Sequence, residues 1–186
     1  KMKKILLVAA IITASVASFA QTTSNSNLKV NLADIMTIEV LTKDVTINIT
    51  TAADYINAAE NTGVKVSMPG HLKVVSNGGF KVKAASGNLQ GSSSAGIIES
   101  DKIQLDVVGY TKSSNSTSGE LTGLTQALGH NLATSAANAL ISTAQVGGGT
   151  VGTVFNVDYT LKNLTNIANL PVDEYKTTIT YTIEAN

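Results

Sequence analysis

Leu28-Lys29-Val30-Asn31-Leu32-Ala33-Asp34-Ile35-Met36-Thr37-Ile38-Glu39-Val40 alternates with a period of two. The even positions are apolar except Asp34, and the odd positions Lys29, Asn31, Thr37 and Glu39 are polar. Successive side chains of an extended chain point to opposite faces, so the stretch reads as a strand with one greasy and one wet face. A strand at this place in an exported chain can complete its own sheet or a neighbour's.

Export is read from what precedes it. Lys1, Lys3 and Lys4 form a basic start, Ile5 to Ile12 a short apolar core, and Ser18-Phe19-Ala20 a small-residue cleavage site. Residues 1–20 are thus expected to be a signal peptide cut between Ala20 and Gln21, with Met2 as the natural start. The apolar run is too short for a comfortable membrane span, so no span is expected in the mature chain. Cleavage leaves 166 residues, enough for one domain with a proper core.

The mature chain carries ten lysines against thirteen acids, a net charge of −3. It has no arginine, the side chain best suited to bidentate phosphate and base recognition, so nucleic acid is not an expected partner. There is no cysteine, although export would permit disulfides, and stability must come from packing. Aromatic residues are few, while Thr, Ser, Asn, Val and Ala abound, a lightly charged β-composition.

Further strands are expected in series downstream. After a turn or bulge at Lys43-Asp44, Val45, Ile47 and Ile49 alternate in the opposite phase. Thr51 to Thr62 lacks strand character and is open between a helical turn and a loop. Val64 to Met68, Leu72 to Val75, Phe80 to Ala84 and Ile103 to Val107 read as strands. Asn77-Gly78-Gly79 predicts a hairpin, because Asn-Gly tolerates the positive φ of tight turns. Glu120 to Gln145 is ambiguous: leucines recur at helical spacing, but Gly123 and Gly129 interrupt them. Ala139 to Thr143 reads as strand, and the first half as loop or helix. Phe155 to Leu161 and Tyr175 to Ile183 alternate clearly, with Pro171 opening the turn into the last strand. Eight or nine short strands joined by turns predict an all-β chain with an immunoglobulin-like β-sandwich.

Catalytic and metal-binding patterns do not emerge. His71 and His130, beside glycines, read as solvated loop residues without a ligand at metal spacing. Glu99 and Asp101 are an ordinary acidic loop that could bind calcium only with other oxygens. Gly147 to Gly152 lacks the Lys-Ser/Thr of a phosphate-binding loop. Asn48, Asn115 and Asn163 open glycosylation sequons, which arise by chance in a chain rich in Asn and Thr. No enzyme and no cofactor are expected; a secreted hydrolase would need His71 or His130 as its base.

The alternation from Leu28 to Val40 alone leaves two alternatives: an ordinary first strand, or a strand donated to the next subunit. The run Pro171-Val172-Asp173-Glu174-Tyr175-Lys176-Thr177-Thr178-Ile179-Thr180-Tyr181-Thr182-Ile183 resembles the closing strand of chaperone–usher pilins. It is most similar to the archaic, spore-coat-protein-U-like branch. The opening LKVNLADIMTIEVL is similar to the donor and first strands of alternate-type fimbrial subunits, and FNVDY at Phe155 to Tyr159 suits such a subunit. The cysteines and the Phe-Gly usual in the coat-protein-U branch are missing, and Glu174 stands where Gly is usual.

The resemblance implies a subunit of a bacterial surface filament, a pilus or fimbria, built by donor-strand exchange. Residues 21–34 would then be the donor strand and 35–186 the sandwich, completed by a neighbour's strand. Leu28, Val30, Leu32 and Met36 would be the polymerisation residues, Met36 and Ile38 also opening the subunit's own first strand. The implied partners are further copies of the chain, a periplasmic chaperone and an outer-membrane assembly protein. The alternative is a secreted monomeric adhesin or ligand-binding module, against which the lack of Trp and the scarcity of loop aromatics weigh, because sugar platforms usually stack on aromatic faces.

Overall fold

The alternating segments form strands in the computed structural model, which describes residues 28–115, 120–133 and 138–186. The chain divides into a unit ending at Leu32, described over residues 28–32, and a unit spanning Ala33–Asn186. The larger unit is all-β with antiparallel pairing throughout.

Its first sheet has five strands, in spatial order β1 (Met36–Val40), β2 (Val64–Ser76), β10 (Thr150–Leu161), β6 (Ile103–Thr111) and β8 (His130–Asn131). The second has four: β12 (Ile179–Ala185), β3 (Phe80–Ser86), β9 (Ala139–Ser142) and β7 (Thr125–Gln126). A small third sheet joins β11 (Tyr175–Lys176), β4 (Leu89–Gly91) and β5 (Ile97–Ile98). Leu72, Val74, Leu105, Val107, Phe155 and Val157 of the first sheet share one buried core with Phe80, Val82, Leu140 and Ile141 of the second. Alternation along β3 is complete: Phe80, Val82, Ala84 and Ser86 are buried and the residues between them half-buried.

One helix, α1 (Ala52–Ala59), resolves the open reading of Thr51 to Thr62. Thr51 Oγ1 accepts from the Asp54 N–H at 3.1 Å, and Asp54 Oδ2 accepts from the Thr51 N–H at 2.9 Å. Two otherwise orphaned helix-start donors are satisfied by this reciprocal capping box.

Four local expectations are corrected. Asn77-Gly78-Gly79 is not a hairpin but a corner, since β2 and β3 belong to different sheets. Asn77 spends its side chain on the entry to β1: Oδ1 accepts from the Ile35 N–H at 3.2 Å and Nδ2 donates to the Ala33 carbonyl at 3.0 Å. Residues 64–68 and 72–75 are one strand, β2, interrupted by a bulge at Pro69-Gly70-His71. There Val157 faces Met68 and Phe155 faces Leu72, so Asn156 alone spans three residues of β2. Gly70 takes φ +65°, and its N–H donates to Asn156 Oδ1 at 2.8 Å. Tyr175 to Ile183 is two strands in two sheets, with Thr177 Oγ1 donating to the Gly87 carbonyl at 2.9 Å where the chain crosses. Residues 42–49 keep the alternation, with Val45, Ile47 and Ile49 half-buried against the core, but form no strand.

Candidate functional site

The segment Leu28–Leu32 forms no strand and presents its alternating side chains to solvent: Leu28 is 89%, Val30 70% and Leu32 91% exposed. Ala20 and Gln21, the expected cleavage site, lie outside the described residues. Met36 opens β1 inside the larger unit, opposite Ser76 and half-buried against the core. Asn77 grips the backbone at Ala33 and Ile35, on either side of the exposed Asp34, and its own N–H donates to the Ile35 carbonyl at 3.1 Å. Ladder pairing therefore begins only past Asp34.

β1 is the last strand of its sheet on one side, and β12 is the last of its own. The two run beside each other, with Cα atoms within 8 Å, yet belong to no common ladder. Beyond β1, the Leu41 N–H donates to the His71 carbonyl at 2.9 Å. Residues 42–49 then make no backbone–backbone hydrogen bond among the described residues. Here Val45, Ile47 and Ile49 pack against the core beside a backbone that has no backbone partner among the described residues, the condition of an open sheet edge.

The corrected bulge in β2 accounts for His71. It is not a solvated loop residue: Gly70 turns the chain so that His71 and Leu72 both enter the interior, and His71 is 1% exposed. Its Nε2 lies 2.6 Å from the Tyr159 hydroxyl of β10, which in turn bonds the Tyr181 hydroxyl of β12. Both tyrosine rings meet the imidazole edge-on, with centroids at 5.4 and 5.9 Å. Burial lowers the proton affinity of His71, raises Tyr159 to about 12 and raises Tyr181 further. Among the described residues His71 Nδ1 has no hydrogen-bond partner. The proline and glycine before His71 were the signal for this bulge, and no sequence pattern announced the tyrosine partners across two sheets.

The other candidates stay apart. His130 sits on the short edge strand β8, its proton affinity also lowered by burial. Lys102 Nζ lies 3.7 Å from Glu99 and 3.3 Å from Asp101, so this acidic loop carries its own cation. Among the described residues no group of three His, Cys, Asp or Glu side chains could hold a metal ion. No helix among them is long and apolar enough to cross a membrane.

The Pro171 to Tyr175 turn that carries the pilin resemblance is a compact clip. Asp173 Oδ2 accepts from the N–H groups of Ser93 and Ser94 at 2.8 and 2.7 Å, and Oδ1 from the Glu174 N–H at 2.8 Å. These donors hold the carboxyl below its ordinary range. Tyr175 donates its hydroxyl to the Pro171 carbonyl at 2.9 Å. No family model matches the chain, and no curated protein sequence matches it either.

Proposed function

We propose that the chain is a structural subunit of an extracellular bacterial filament, and that it polymerises by giving its Leu28–Leu32 segment to a neighbouring copy as a strand. The observation that carries this reading is the exposure of Leu28, Val30 and Leu32 on one parity of a segment outside every strand. A monomeric binding module would use the whole stretch from Leu28 to Val40 as its own first strand, whereas pairing here starts at Met36.

The acceptor in the neighbour is the seam between β1 and β12, continued by residues 42–49, whose backbone has no backbone partner among the described residues. A strand inserted between two others needs about 9.6 Å between its flanks, two ladder spacings. The seam, with Cα atoms within 8 Å, must therefore widen to take it. Main-chain hydrogen bonds would supply affinity, and alternate side chains would seat in pockets. Full burial of each of Leu28, Val30 and Leu32 is worth roughly 1.5–3 kcal/mol. The contact is head-to-tail and need not close, so it propagates as a fibre. The role is mechanical, without a catalytic step or cofactor; a periplasmic chaperone and an outer-membrane assembly protein would guard the open edge before assembly.

Val30→Asp tests the reading, because a carboxylate cannot enter an apolar pocket unpaired. Negative-stain microscopy of material sheared from producing cells should show filaments from the natural chain and none from the variant. Ordinary filaments from Val30→Asp would remove the donor assignment.

A further inference from the structure

The buried His71–Tyr159–Tyr181 chain joins three strands that no single ladder joins. His71 belongs to β2, Tyr159 to β10, and Tyr181 to β12 of the other sheet. Among the described residues β12 has a ladder only to β3, and it approaches β1 across a seam with no shared ladder. Tyr181 is half-buried, so the chain runs from the core interior to a partly solvent-accessible residue of β12, while the His71 carbonyl accepts from the Leu41 N–H just past β1.

Its polarity follows from the orphan nitrogen. A hydrogen on Nδ1 would be a buried donor without an acceptor, whereas a hydrogen on Nε2 leaves only a bare lone pair, the cheaper vacancy. We therefore assign Nε2–H donating to Tyr159, Tyr159 to Tyr181, and the Tyr181 hydroxyl hydrogen facing outward. A second proton can go only to Nδ1. It would create a buried donor with no partner and a buried charge with no counter-ion.

Among the described residues no charge stands ready to compensate, and the titratable groups recorded against the imidazole are Tyr159 and Tyr181, both neutral. On these strands and their neighbours, Glu39 of β1 pairs with Lys73 of β2, Lys65 of β2 with Asp158 of β10, and Glu184 of β12 with Lys83 of β3. Lys81 alternates with buried Phe80 and Val82 and points to the other side of β3. Lys43 and Asp44, beyond β1, are exposed.

We propose that His71 is an acid-released latch: protonated, it can be accommodated only if water enters past Tyr181, which parts β12 from β1 and opens the seam. This is independent of whether the seam accepts a donor strand, because it concerns the free edge of a single chain. The buried imidazole binds its proton more weakly than the same residue in an unfolded or opened chain. Its contribution is therefore complete above about pH 6.5 and is lost as the pH falls toward its lowered folded-state value.

Amide hydrogen exchange of the unassembled full chain between pH 7.5 and 5.0, corrected for intrinsic rates, tests the latch. One proton allows opening to grow by up to about tenfold per pH unit below about 6.5. The expected result is that loss of protection in β12 and β1, with β6 and β10 still protected. His71→Gln, which can still bond Tyr159 but cannot titrate, should abolish the acid dependence; His130, the only other histidine, remains in that variant. An equal acid effect in His71→Gln, or a loss spread evenly over β6 and β10, would overturn the proposal. If His71→Gln does not fold, two further measurements decide. Tyr181→Phe should lower β12 protection several-fold already at pH 7.5, and unchanged protection there is a refutation. Titration of the His71 imidazole by NMR at or above 6.5 in the folded chain is another.

Discussion

Asn77 serves three backbone groups at one corner, and its replacement isolates that role. Asn77→Ala removes the side-chain bonds to Ile35 and Ala33, each of a kind worth about 0.5–1.5 kcal/mol net. Urea unfolding should therefore show a loss of about 1–2 kcal/mol, with hydrogen exchange quickening at Ile35 and Met36. Gly79, next but one, packs against the second sheet: a Cβ there would stand 2.1 Å from the Ala144 carbonyl oxygen and 2.6 Å from Gln145 Cα. Both obstacles are backbone, so Gly79→Ala should cost about 1–3 kcal/mol or more by the same assay. Asn-Gly-Gly was legible as a turn, but not as a sheet-to-sheet corner. The partners that decide between the two lie more than forty residues away, and local turn chemistry does not encode them. His71 was misread for the same reason: Pro69-Gly70 signals a break, while its service as a bulge depends on Asn156 in β10.

At the level of elements, continuous alternation translated well and long-range pairing did not. β3 and β10 fall where period-two patterns placed them, because their alternate side chains must enter the core, and β9 falls within the Ala139 to Thr143 strand read from the ambiguous stretch. β7 and β8 are two-residue bridges inside the ambiguous Glu120 to Gln145 stretch and carry too little pattern to be seen. α1 was left open because eight residues give barely two turns of periodicity, yet its capping box is plain in Thr51 and Asp54. Thr51→Ala should cost about 1 kcal/mol, read from thermal or urea unfolding. The Asp173 clip makes a pH prediction. Its carboxyl is held below the ordinary 3.8 first by the Ser93 N–H, then by the Ser94 side chain and the N–H groups of Glu174 and Ser94. Its contribution is thus present above that value and lost as the pH falls through the lower folded-state one. Asp173→Ala should loosen residues 92–96 at neutral pH, seen as faster proteolysis there, with little change in the core strands.

For the whole molecule, one core shared by two unequal sheets carries the stability, and the strand ends carry the proposed function. Phe155 is fully buried at the centre of the first sheet, and Phe155→Ala should cost about 3–5 kcal/mol through lost burial and the cavity left behind. The all-β class was readable from the strands and turns alone. The alternation of Leu28, Val30 and Leu32, on which the proposed donor role rests, was readable too. The proposed acceptor was not: the β1–β12 seam brings together residues some 140 positions apart, and the strand pattern of Val45 to Ile49 gives no hint that its backbone finds no backbone partner among the described residues. The decisive measurement is an electrophoretic one, on unheated detergent gels, comparing the chain starting at Gln21 with the same chain starting at Ala33. The first should run as a ladder of multimers that collapses to monomer on boiling, and the second as monomer throughout. A ladder that survives the loss of Leu28–Leu32, or monomer from both chains, would contradict polymerisation by strand donation.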